Sequence, residues 1–363
     1  MSISFLATWI IETLPSLLLG LFGLGFVIAF HEFGHFTFCK LFGVHVHSFS
    51  IGFGPQLIEK KIGSTVFKLS LIPVGGYVEA EAGQTEDLHH KSSIQSKSYL
   101  QQMGIVGGGI FYNLIFAYVV IYGLSLVGIP SNPFLIKNTN YSIEKILPNS
   151  AAEQAGLAPK DVIRSINGIE VEHDFTALLK ELHRLPNKPA ELIIIRDGIP
   201  QTMDVAIGSK TVKDKEQGTL GVEFHFAPLP AVSCTQAFIQ AGSVIKQFAL
   251  SMAQSLVKAF KKRSAENFAG PLMMISMTVG SAGQGISFFL LFLAFISVSL
   301  AVLNVLPLPI LDGGQALIYT IEALIGRPLP ESVRAGIAYV SWGLMLVIFG
   351  YLTFKDAIAL FWS

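Results

Sequence analysis

The sequence predicts a polytopic α-helical membrane protein: four spanning helices, a β element on the membrane between the first two, and one α+β domain inserted ahead of the last two. Three observations carry that expectation. The 363 residues are 51% hydrophobic and only 14% charged, with a mean hydropathy of +0.56, too apolar for an ordinary water-soluble chain. Four stretches are long and apolar enough to cross a hydrocarbon core, which takes about 20 residues. Between the second and third lies a long polar segment in which strand, turn and capping signals alternate. Formal net charge is zero and the Lys and Arg residues form no dense patch, so no nucleic-acid partner is expected.

The first span is expected from about Thr13 to Phe38 and the second from Met103 to Ile129, with Asn113 as its main polar interruption. The third covers Ile286 to Leu306 and runs into Pro307-Leu308-Pro309-Ile310-Leu311-Asp312-Gly313-Gly314; the fourth covers Gly336 to Phe354. The N-terminal run has no basic n-region and no small-x-small cleavage site, and reads as a retained span. From Val44 to Ala80 the chain alternates and turns like a β-hairpin or small sheet. Gly52-Phe53-Gly54-Pro55 and Gly63-Ser64 mark bends, and Val66 to Leu71 reads as a strand.

Residues 132–226 form the inserted domain. Strands are expected at Ser142–Leu147, Asp161–Ile166, Ala190–Arg196 and Gln201–Ile207, with a closing strand in Gly218–Phe226. A short helix is expected over Ser150–Gly156, and a longer one capped by Asp174 ends near Leu185. Asn167-Gly168 and Asp197-Gly198 supply the turns. Residues 227–285 read as an amphipathic helix, Thr235 to Arg263, followed by a Gly-Pro linker. That helix lies on the membrane surface, against the spans, or against the inserted domain.

Basic residues orient the spans. Lys40, Lys60, Lys61, Lys68, Lys91 and Lys97 mark the first connection as cytoplasmic, and Arg327 and Arg334 mark the third. Both termini and the inserted domain then lie outside. His31, His35 and Asp312 fall at one depth near the cytoplasmic side.

The chemistry starts at His31-Glu32-Phe33-Gly34-His35. Histidines at i and i+4 share a helix face and can reach one metal ion, and the glutamate between them can take a proton from water at that metal. Between Glu12 and Lys40 the only carboxylate or amine is Glu32, and ionisable groups within a span are functional by default. A catalytic zinc needs a third protein ligand. Asp312 is the candidate, after a helix broken by prolines and before a glycine pair that lets backbone approach closely. The alternative is a helix-ending turn with a solvated Asp. His45, His47, His89, His90, His173, His183 and His225 lack this setting and read as surface residues. Cys39 and Cys234 form no CxxC pair and no expected disulfide.

These residues, with Phe49–Pro55, Ile72–Val78 and Asn304–Gly314, closely resemble the site-2 protease family of intramembrane zinc metalloproteases, in the bacterial subgroup that cuts anti-sigma factors. The resemblance implies one zinc per chain held by His31, His35 and Asp312, Glu32 as general base, and Asn304 holding substrate backbone or the oxyanion. It also implies a membrane-associated β element around Gly52 to Tyr77 that takes the substrate as an added strand. The inserted domain resembles a PDZ domain through Ala152–Leu157 and Asp161–Gly168, and Ala269-Gly270-Pro271 also fits the family. Three departures stand out: Gln315 where relatives often carry His, no proline before Asn113, and one PDZ-like domain instead of the enterobacterial two.

On this reading the substrate is a single-span membrane protein in contact with lipid, such as an anti-sigma factor or signal-peptide remnant. Its unwound segment pairs with the β element at Val66, Lys68, Ser70 and Leu71. The PDZ-like domain filters substrates by size or recruits them. Two rivals remain: a catalytically silent membrane adaptor working through its PDZ-like domain, and a metal-ion carrier. An adaptor needs none of the four groups His31, Glu32, His35 and Asp312, and a carrier needs more facing polar residues across the spans than the sequence offers.

Overall fold

The computed structural model describes residues 3–81, 92–130, 140–212, 215–262 and 269–361. The chain divides into two compact units, Ser125–Cys234 and the remainder on either side of it. The larger unit opens with α1 (Ile3–Leu41), followed by β1 (Val46–Ile62), β2 (Thr65–Ala80) and α2 (Tyr99–Val127). Long runs of Leu, Ile, Val and Phe without internal charge give both helices a span-like composition.

β1 and β2 form an antiparallel hairpin about Gly63-Ser64, and the hairpin folds back on itself. Ser48–Ile51 face Gly76–Glu79 on one side and Val66–Leu69 on the other, and Ile58–Lys61 cover the far side of Val66–Leu69. The register makes a sheet of four segments in the order 56–62, 65–72, 46–53, 76–80, with the first and last as its edges among the described residues. Gly52 makes the fold-back: its φ is +87°, and a Cβ there would stand 2.5 Å from the Ile72 carbonyl oxygen.

The smaller unit contains β3 (Tyr141–Ile146), α3 (Ala151–Gln154), β4 (Val162–Ile166), β5 (Ile169–Glu170), α4 (Phe175–His183), β6 (Pro189–Arg196), β7 (Ile199–Ala206), β8 (Gly208–Val212), β9 (Lys215–Thr219) and β10 (Val222–Phe226). A four-stranded antiparallel sheet runs β5-β4-β6-β7, β10 pairs with β3, and β8 with β9. The expected cap is present at Asp174, which accepts from Ala177 N–H, and Ser150, expected within the short helix, caps it by accepting from Glu153 N–H. Asn167-Gly168 and Asp197-Gly198 take positive φ at both residues, as type I′ turns require. The β8–β9 hairpin is an addition to the expected strands. The core gathers Ile163, Ile166, Leu178, Leu192, Ile194 and Tyr141, whose phenol donates to the Val171 carbonyl at 2.6 Å.

The larger unit resumes with α5 (Cys234–Lys262), α6 (Pro271–Gly283), α7 (Ile286–Asn304), α8 (Asp312–Ile325) and α9 (Glu331–Phe361). The inner face of α5 meets the spans: the Phe248 ring lies tilted against Phe295 on α7 with centroids 4.5 Å apart, and the Tyr118 hydroxyl on α2 donates to the Phe238 carbonyl. The Gly-Pro linker expectation is corrected, because Pro271 starts a helix. Its cap comes from far away in sequence: Asp356 on α9 accepts from the N–H groups of Gly270 (3.1 Å) and Met273 (2.9 Å). Leu24 and Val27 of α1 pack with Phe289, Leu293 and Ile296 of α7. Around α9, Tyr339, Val340, Leu346 and Val347 lie largely exposed. Among the described residues, four helices are long and apolar enough to cross a membrane, and this outward apolar surface is what lipid contact demands. The chain is a multi-pass membrane protein.

Candidate metal centre

One turn apart on α1, His31 and His35 bring their Nε2 atoms to 3.2 Å. Asp312, the first residue of α8, places Oδ2 3.4 Å from His31 Nε2 and Oδ1 3.4 Å from His35 Nε2. The three groups offer ligand atoms all within 4.8 Å of one another. Asp312 arrives there because the chain leaves α7 at Asn304, crosses two prolines, and restarts as helix. Gly313 and Gly314 press on the carbonyls of Val305 and Leu308 so closely that a Cβ on either has no room. Any side chain at those positions displaces α8 and its aspartate.

The second nitrogen of each imidazole is also occupied. His35 Nδ1 lies 2.8 Å from the Ile105 carbonyl oxygen, which fixes the proton on Nδ1 and leaves the Nε2 lone pair free. His31 Nδ1 lies 3.0 Å from the Asn113 amide. Two structural observations fit this cluster to a divalent metal. Asp312 Oδ2 is buried and has no hydrogen-bond partner among the described residues, a costly state for a carboxylate unless a cation supplies the missing contact. Gly109 on α2 lets both imidazoles pack directly on its backbone: a Cβ there would stand 2.5 Å from His35 Nε2 and 2.7 Å from His31 Nδ1. Two histidines and one carboxylate are a zinc-type donor set with an open position for water.

Glu32 and Gln315 line the same cavity of about 180 Å³ as His35 and Asp312, with Val78 and Ala80 of the sheet on another wall. The Glu32 carboxyl lies against the Val78 backbone N–H, and a Cβ on Gly76 would be 3.5 Å from Glu32 Cγ. Asn304 ends α7 with its Nδ2 3.4 Å from His31 Nε2, beside the ligand cluster.

The structure separates the expected strand-addition residues from this cleft. Val66 and Lys68 lie on the segment paired along both sides, with Ser48 and Ser50 on one and Lys61 and Glu59 on the other, so their backbone has no free edge. Ser70 is buried, with its hydroxyl 3.5 Å from that of Ser50, and the exposed Leu71 lies away from the cleft lining. Alternation and the Gly63-Ser64 turn mark these strands in the sequence, but sheet order depends on the fold-back at Gly52. The free edge at the metal cleft is 76–80.

Three features had no reading as site residues. Asn113, fully buried, stood out only as a polar interruption in a span. Gly109 and Gly108 stood out only as part of a glycine run; Gly108 forms a close crossing with Gly34, and a Cβ on Gly108 would sit 2.8 Å from the Gly34 carbonyl oxygen. The helix α2 runs unbroken past Asn113 without the family's proline. His45 and His47 form an edge-to-face ring pair 4.5 Å apart, clear of the cleft. His89 and His90 lie outside the described residues. Cys39 is buried and Cys234 exposed, both as free thiols.

Comparison with known proteins agrees with this geometry. The model of peptidase family M50 matches residues 19–348. A Campylobacter jejuni protein named as a zinc metalloprotease is 30% identical over 98% of this chain and 93% of its own. A Clostridium perfringens protein named in the same way is 28% identical over 92% and 95%. The regulator of sigma-W protease RasP of Bacillus subtilis is 26% identical over 93% and 97%. With residues 19–348 of its 363 covered by that one model, the chain belongs to peptidase family M50, the site-2 protease family of membrane zinc metalloproteases.

Proposed function

We propose that this protein is an intramembrane endopeptidase that cuts single-span membrane proteins within their apolar segments. The observation that carries the reading is the cluster of His31, His35 and Asp312, with Glu32 lining one cavity beside His35 and Asp312. One zinc per chain is held by His31, His35 and Asp312. When bound, it supplies a Lewis acid that polarises the scissile carbonyl and acidifies water.

The chain's own groups do the rest. Glu32 accepts the proton from the attacking water and returns it to the leaving amine. Asn304 faces the carbonyl oxygen as negative charge develops, where a fixed amide donor is worth about 3 kcal/mol. A substrate helix hides its carbonyls in its own hydrogen bonds, so it must unwind, and its freed backbone groups need partners in a dry setting. The free edge at Gly76–Ala80, beside Glu32, supplies them by strand addition. An Ala80→Pro variant blocks that edge and leaves the Val78 N–H on Glu32, and edge strands tolerate proline. It should lose cleavage while binding zinc normally; normal cleavage would contradict strand addition there.

The basic residues of the first and third connections support a bacterial inner-membrane placement with the catalytic cleft near the cytoplasmic side. The smaller unit acts on the substrate tail outside the membrane, as a PDZ-like domain. A groove of about 280 Å³ between α4 and β9–β10, lined by Phe175, Leu179, Leu182, Val222 and Phe224, supports this. Deleting residues 132–226 separates its two modes: premature cleavage of untrimmed substrate marks a size filter, and reduced cleavage marks recruitment. Unchanged cleavage would contradict both.

The function itself is tested with purified protein in detergent and a single-span substrate. Cleavage should fall by about 10²–10⁴-fold in Glu32→Gln and vanish with a zinc chelator. Equal cleavage in that variant would overturn the assignment.

A further inference from the structure

Asn113 is fully buried in α2, and its side chain touches a ligand of the candidate metal centre. Its Nδ2 is 3.0 Å from His31 Nδ1. Its Oδ1 is buried and meets no hydrogen-bond partner among the described residues. The backbone beneath it is tied to another helix, since Ser297 Oγ on α7 donates to the Asn113 carbonyl at 2.9 Å. A buried amide half unsatisfied in a membrane helix is costly, and its position against an imidazole gives it a task.

An imidazole that binds metal through Nε2 keeps its proton on Nδ1, and that N–H needs an acceptor. His35 has one in the Ile105 carbonyl. For His31 the nearest side chain is Asn113, and an N–H facing an amide N–H makes no bond. A half-turn of the amide exchanges its two nearly isosteric ends and brings Oδ1 onto Nδ1. The Gly109 carbonyl is the other acceptor near His31, and the variants below separate it from Asn113.

We propose that Asn113 is the positioning residue of the metal centre, accepting the His31 Nδ1–H through Oδ1 so that Nε2 is held deprotonated and aimed at the ion. This rests on the metalloprotease reading above. Partners of this kind change metal affinity by about 10- to 100-fold in other sites.

Zinc affinity of the full-length protein in detergent, measured by competition with a chromogenic chelator, tests it without reference to activity. Asn113→Leu keeps the volume and removes the acceptor, and should weaken zinc binding by about 10- to 100-fold. Asn113→Asp restores an acceptor and should bind within a few-fold of wild type. Equal affinity in Asn113→Leu would overturn the proposal and leave the Gly109 carbonyl as the acceptor. Equal losses in both variants would overturn it too, reducing Asn113 to a packing residue. If Asn113→Leu fails to fold, the Asp variant decides: retained affinity supports an acceptor, and a loss refutes one. Failure of the underlying reading looks different, because wild type would then bind no zinc that His31→Ala abolishes.

Discussion

Replacing Gly109 with alanine puts a methyl group where the metal ligands converge. The added Cβ would stand 2.5 Å from His35 Nε2, 2.5 Å from His31 Cε1 and 2.7 Å from His31 Nδ1, whereas ordinary contact starts near 3.4 Å. The rings must therefore retreat by about 0.9 Å, several times the roughly 0.2 Å tolerance of a metal–ligand distance. They cannot do so freely, because His35 is held by the Ile105 carbonyl and His31 lies against Asn113. A misplacement of about 1 Å costs on the order of 10²-fold in rate, equivalent to about 2.7 kcal/mol. Zinc affinity should fall by at least that factor. Alanine favours helix over glycine by about 0.5–1 kcal/mol, so the loss cannot come from a weakened α2. Gly107→Ala is the matched control, since a Cβ there meets nothing within 4 Å. Chelator competition and substrate cleavage, run on both variants, read the difference. If Gly109→Ala binds zinc and cleaves like Gly107→Ala, close packing of the ligands on Gly109 does not set their position.

Further outcomes follow from the same contacts. Asp356→Ala strips the cap from α6, leaving the Gly270 and Met273 N–H groups without their charged acceptor. Hydrogen bonds to charged groups are worth about 1.5–3 kcal/mol, so amide exchange in α6 should accelerate while zinc binding holds; unchanged exchange would remove Asp356 from that role. Gly34→Ala forces α1 away from α2, because its Cβ has no room beside the Gly108 carbonyl. Overpacking of this kind costs about 1–3 kcal/mol, read as a lower thermal midpoint in detergent. In the smaller unit, Asp161 is buried and accepts from Arg196 Nε at 2.8 Å, Arg196 Nη2 at 2.7 Å and Ala158 N–H at 2.8 Å. Arg196→Ala should speed amide exchange across β4 and β6, and a silent variant would show that the Ala158 contact alone satisfies the carboxylate.

The parts of this molecule legible in its sequence are those governed by local rules. Helix periodicity put His31 and His35 on one face, and prolines followed by Gly313-Gly314 marked the turn that delivers Asp312. Capping and turn chemistry marked Asp174, Asn167-Gly168 and Asp197-Gly198. What escaped depends on contacts distant in sequence. The α6 helix is capped by a residue 86 positions away, so its start looked like a linker. The edge at 76–80 is defined by segments joined through the Gly52 fold-back, and no pairing rule read along the chain gives that order. Asn113 and Gly109 acquire meaning only where α2 crosses α1 beside the histidines. Apolar composition identified the spans but carried nothing about which faces meet.

The most direct measurement is the position of the cut. A single-span substrate is incubated with wild-type protein and with Glu32→Gln, and the products are mapped by mass spectrometry. The expected result is one zinc-dependent break inside the apolar segment, made by wild type and absent from Glu32→Gln. Cleavage only in the flanking soluble sequence, or the same break from Glu32→Gln, would contradict an intramembrane protease built on this centre.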